Sequence, residues 1–156
     1  MIGLSSIDEQ IAAMAARWPG LRARRVGDRA AVWRGPLRPL MKTYEVEILY
    51  RAPLVIERID PMRMQPDVEV LSPRLRRMAR SDEGKLPHVY WRDEGEPLLC
   101  LFDPEAGEWS PADLLADTTV PWTIDWLTCY EGWRATGEWT GGGRHPSPPS
   151  TEGATP

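Results

Sequence analysis

The run from Met41 to Tyr50 constrains the fold of this chain more than any other. It places Tyr44, Val46, Ile48 and Tyr50 on one face and the charged Glu45 and Glu47 on the other. Alternation of this kind fits a strand with one dry face and one wet face. Its neighbours have the same character. Leu21 to Val26, the pair Gly27-Asp28 and Ala30 to Arg34 read as a short hairpin, and Leu54 to Ile59 and Val68 to Leu71 complete the set. Prolines 53, 61, 66 and 73 fall at strand ends, where a missing N–H costs little. Ahead of the strands, Ser6 and Glu9 form a capping box. Ile7, Ile11, Met14 and Trp18 then share one helical face, and Pro19-Gly20 stops the helix after about three turns. One helix followed by consecutive, shortly linked strands predicts an α+β fold with an antiparallel four-stranded meander.

The second half is less regular. Residues 80–96 are polar and loop-like apart from Val89-Tyr90-Trp91. Ser110 can cap a short helix with Pro111 at its first position and Asp113 in its first turn. A further helix is expected from near Pro121 to Gly137, with a stripe of Trp122, Trp126, Cys129 or Tyr130, and Trp133. Aromatic side chains at that spacing read as core, because they carry the largest burial areas. Cys129 on the stripe reads as a small buried hydrophobe. The tail, residues 141–156, has nothing apolar to offset its ordering entropy and is expected to be disordered, which makes His145 a poor catalytic candidate. The expected organisation is one domain over residues 1–140 and that tail.

Charge narrows the partners. A net charge of −4 argues against nucleic acid, which demands a surplus of Lys and Arg on one face. The cluster Arg74, Arg76, Arg77 and Arg80 is the local exception, either a solvated turn or a docking patch for an acidic partner. No apolar run approaches the length needed to cross a bilayer, and the N-terminus lacks a signal pattern, so a cytoplasmic protein is expected. In that compartment Cys100 and Cys129 read as free thiols. Their spacings to His88 and His145 match no zinc pattern, so no metal is expected.

Cys100 is bracketed by Leu86-Pro87-His88-Val89-Tyr90 upstream and by Trp109-Ser110-Pro111 downstream. With Trp33-Arg34-Gly35-Pro36 before the alternating strand and Pro66-Asp67-Val68-Glu69-Val70 after it, this resembles the ubiquitin-conjugating fold over residues 6 to 115. The Trp-rich stretch from Thr119 to Trp139 is similar to the ending of the ubiquitin-conjugating-like proteins of bacterial anti-phage (CBASS) operons. The resemblance implies a cysteine-dependent acyl transferase. Cys100 would carry the C-terminus of a partner as a thioester and pass it to an amine or a thiol. The partner would be the operon's cyclic-oligonucleotide synthase or a ubiquitin-like protein, and a separate activating enzyme would consume any ATP. This chain has no phosphate-cradling glycine loop before a helix, so no cofactor is expected. His88 stands where the family has asparagine, and Leu86 where it has histidine.

The residues themselves point the same way. Asp93, Glu94, Glu96, Asp103, Glu105 and Glu108 surround Cys100 in sequence, with Arg92 the nearby opposite charge. Carboxylates facing a thiol hold its pKa up, which suits transthiolation better than redox chemistry. They would also attract a cationic amine or a basic docking surface. His88 is open to three roles: closing the turn, donating to an oxyanion, or acting as general base of a Cys-His pair. The last would make the protein a peptidase. A non-catalytic adaptor that binds through its Trp-rich face is the other alternative. Acyl carriage requires the Cys100 sulfur to be reachable at the lip of a groove.

Overall fold

The computed structural model describes residues 3–54, 64–78 and 85–140. Helix α1 spans Ile7–Arg17 and opens on the expected capping box, with the Ser6 Oγ accepting from Glu9 N–H and the Glu9 carboxylate accepting from Ser6 N–H. Four strands follow, β1 Arg22–Val26, β2 Ala30–Leu37, β3 Tyr44–Arg51 and β4 Asp67–Ser72, in one antiparallel sheet of order β1-β2-β3-β4. The third strand begins three residues later than its alternation suggests, leaving Met41 85% exposed in the preceding bend. Most of the predicted strand Leu54 to Ile59 lies outside the described residues, as do Arg80 and the 141–156 tail with His145.

Register explains the core. Trp33 faces Ile48 and Ile48 faces Val68, while Gly35 faces Val46 and Val46 faces Val70. These side chains therefore line one face of the sheet, with Tyr44 and Tyr50 beside them, and all are buried. Against that face pack Met14 of α1 and Leu127, Tyr130 and Trp133 of the second helix, α2, which spans Thr119–Thr136. Gly137, in the left-handed conformation at φ 80°, ends α2 where the sequence placed its stop.

Two expectations need correction. The predicted short helix at Ser110 is absent, and residues 110–117 form turns. Their carbonyls are spent elsewhere: Pro111 on Ser5 N–H, Ala112 on the Ser5 hydroxyl, Asp113 on the Gln10 amide and Ala116 on the Trp18 indole. A helical ladder would need those same acceptors. Among the described residues the C-terminal part therefore holds one helix. Along α2, Tyr130 and not Cys129 completes the buried stripe, and Cys129 is half-buried. The 3.6-residue period passes between the two positions, and the larger ring takes the sheet-facing site.

Candidate active site

A small hairpin builds the site. Strands β5, Val89–Tyr90, and β6, Leu98–Leu99, pair as Val89 with Leu99 and Tyr90 with Leu98. Gly95, at φ 87°, lies in the connecting turn, where a left-handed residue favours glycine. One step beyond the last pair, the Cys100 N–H donates to the His88 carbonyl at 3.0 Å. The two residues singled out from the sequence are thus cross-strand neighbours. His88 itself sits at φ 57°, which turns its carbonyl to accept a second bond from the Trp126 indole N–H at 2.9 Å. The Trp-rich helix α2 pins this turn from behind, and the aromatic stripe is core, as its spacing suggested. The His88 ring packs against Trp139, centroids 4.9 Å apart. Burial lowers the imidazole's pKa and favours its neutral form.

The sulfur is less open than the sequence reading required. Cys100 is 5% exposed, because the run Leu99-Cys100-Leu101-Phe102 enters the core as a unit. The expected accessible lip is therefore corrected to a covered thiol. Its Sγ lies 3.2 Å from the Tyr90 hydroxyl and 3.6 Å from the Phe102 carbonyl. Tyr90 is the diagonal neighbour of Cys100 across the hairpin, close enough for an aromatic side chain to reach, and it is itself half-buried. In the sequence Tyr90 stands out only as the end of the Leu86 to Tyr90 segment and as part of an apolar interruption of a polar stretch, with no role of its own. Reading Asp93-Glu94-Gly95-Glu96-Pro97 as a hairpin turn would have placed it beside the cysteine.

The Cys100 pKa is raised, first by burial. The Tyr90 hydroxyl opposes that rise by donating to the thiolate, and a backbone hydrogen bond from Phe102 also lowers it, while Asp103 and Glu108 add to it. The carboxylates thus act in the expected direction but rank below desolvation. Their loop is self-supporting, with Glu108 accepting from Asp103 N–H and Asp103 from Glu105 N–H. Arg92 turns to Glu69, at 3.3 Å, and to the Glu96 carbonyl.

A consequence can be measured. Removing the hydroxyl in Tyr90→Phe takes away a contact that favours the thiolate, so the thiol's titration should move to higher pH. In a Cys129→Ser background, the rate of Cys100 alkylation plotted against pH should rise later for Tyr90→Phe than for the parent. An unchanged profile would show that the hydroxyl does not engage the ionised sulfur.

A helix-led α+β fold with a four-stranded antiparallel meander, a C-terminal helix and a cysteine seated opposite a Pro-His turn is consistent with an E2-like protein. The family model described as "Type II CBASS E2 protein" matches residues 10–146, and the chain belongs to that family. A search of curated proteins gives no match. Among the described residues, no helix is long and apolar enough to cross a membrane.

Proposed function

We propose that this protein has the ubiquitin-conjugating fold and carries a partner's C-terminus as a thioester on Cys100, acting in the cytoplasm. The observation that supports it is the hairpin placing Cys100 opposite His88, with the Tyr90 hydroxyl at its sulfur, in a chain of a CBASS E2 family. In the first step the thiolate attacks the activated acyl carbon of the partner's terminus. The C–Sγ bond forms and the activating group leaves with its electron pair. In the second an amine or thiol attacks that carbon, the C–Sγ bond breaks, and the acceptor's proton passes to water. Neutral His88 can offer one N–H to the oxyanion of either intermediate, a contribution that elsewhere reaches several kcal/mol. The partner is a cyclic-oligonucleotide synthase or a ubiquitin-like protein, and a separate enzyme supplies the activated ester.

A raised pKa does not prevent this chemistry. Exchange between acyl groups proceeds through the small thiolate fraction once an activated ester is held against it, and that thiolate is intrinsically nucleophilic. The 5% exposure of Cys100 sets a condition: the incoming terminus must displace its cover, which includes the Tyr90 hydroxyl. The same burial favours a second reading, a non-catalytic adaptor whose cysteine is core.

Non-reducing gels decide between them. The protein is mixed with its operon partner, the activating enzyme and ATP. Carriage predicts a thiol-sensitive adduct that is lost in Cys100→Ala and persists as a thiol-resistant ester in Cys100→Ser. An adaptor predicts partner binding unchanged in Cys100→Ala and no adduct with any variant.

A further inference from the structure

Where β4 ends, Pro73, Arg74, Leu75, Arg76 and Arg77 line an open groove of about 780 Å³ whose far wall carries Arg134 of α2. Glu96 is the one carboxylate that the described residues bring within ion-pairing distance of these four arginines. Its two oxygens are already engaged, Oε1 by Arg74 at 2.8 Å and Oε2 by Arg77 at 3.4 Å. Arg76 and Arg134 have no carboxylate partner among the described residues, so the groove keeps a surplus of positive charge on a chain whose net charge is −4.

The backbone beneath this charge is anchored. Leu75 is 2% exposed, and the Arg76 N–H donates to the Tyr130 hydroxyl at 2.8 Å, tying the segment to α2. Anchoring one residue in the core turns Arg74 and Arg76, on either side of it, outward. Guanidiniums on a fixed base lose less freedom when they bind than those on a mobile loop. Arg77 also lies over the ring of Trp91, 5.2 Å from its centroid, and Trp91 is 56% exposed. The groove is therefore continued by an aromatic surface on the residue next to Tyr90.

We propose that this groove is a docking surface for an acidic, extended segment of a partner protein. Planar guanidiniums match carboxylates in pairs, and the neighbouring indole offers an apolar contact beside them. Nucleic acid fits poorly, because its affinity comes from a long basic track and this surplus is confined to one groove of an acidic protein. The proposal rests on the reading above only in taking the partner to be a protein, and it requires no thioester step.

Fluorescence anisotropy of a labelled glutamate-rich peptide against the full chain tests it. The double variant Arg76→Glu/Arg134→Glu should weaken binding by about tenfold or more, and added salt should weaken the wild type. Arg24→Glu, on β1 at the opposite edge of the sheet, should bind as the wild type does. The milder Arg76→Ala/Arg134→Ala guards against loss of fold in the charge-reversed protein and should show the same direction. Equal binding by wild type and both double variants overturns the proposal. So does displacement of the peptide by single-stranded oligonucleotide more readily than by unlabelled peptide, or self-association of the wild type that the double variant abolishes. Loss of peptide binding with the Cys100 adduct intact, or the reverse, separates this surface from the thiol's chemistry.

Discussion

Gly35→Ala should destabilise the protein by about 3 kcal/mol, the upper end of ordinary overpacking costs. A Cβ built on Gly35 falls 2.1 Å from the Gly20 carbonyl oxygen, 2.9 Å from its carbon and 3.1 Å from the Leu21 Cα. All three are backbone atoms, so no side chain can swing aside. Relief requires the link between α1 and β1 to separate from β2, and β2 pairs with β3 through Gly35 and Val46. For a chain of this size the loss corresponds to a fall in Tm of roughly 10 °C. A thermal unfolding curve within a degree or two of the parent would show that the link yields freely. The segment Trp33-Arg34-Gly35-Pro36 was noticeable in the sequence, but the reason for its glycine was not.

The second large effect concerns Gln10, which is fully buried on α1. Its amide donates to the Asp113 carbonyl at 2.9 Å, and its side-chain oxygen accepts from Leu115 N–H at 2.9 Å. Gln10→Met keeps the volume and removes both partners. Two backbone groups, one buried and one half-buried, then lose their bonds, each costing about 1–3 kcal/mol, so a total of about 2–6 kcal/mol is expected. The damage should concentrate in residues 110–117, and amide exchange at Leu115 should accelerate beyond what the change in global stability requires. Uniform acceleration across the sheet would mean that Gln10 supports the whole fold and not this segment in particular. Either way, the substitution measures how much a single polar side chain contributes to holding a turn region in place of a helix.

Gln10 and the 110–117 region show where local patterns stop being informative. Gln10 is three residues after Ile7 and four before Met14, on the apolar side of the helix, but a polar side chain there carries no burial signal of its own. Its partners lie about a hundred residues away, and no local rule pairs them. Ser110-Pro111 satisfies every local requirement for a helix start. It is overruled because Gln10 of α1 and the flanking Ser5 and Trp18 take up the carbonyls. Tyr90 shows a milder version of the same limit. Its neighbour in space is ten residues distant, and a turn reading of the acidic stretch brings the two together.

The amino-acid order alone determined what depends on near neighbours. The Ser6–Glu9 box starts α1, the alternation around Tyr44 to Tyr50 sets which face of β3 is dry, and Gly137 ends α2. Steric and hydrogen-bonding rules within a few residues suffice for each. Tertiary packing decided that Cys100 is covered, that Tyr90 is its polar contact, and that desolvation outranks the acidic loop in setting its pKa. Burial is a property of what lies opposite a residue in space, and chain segments far apart in sequence supply it.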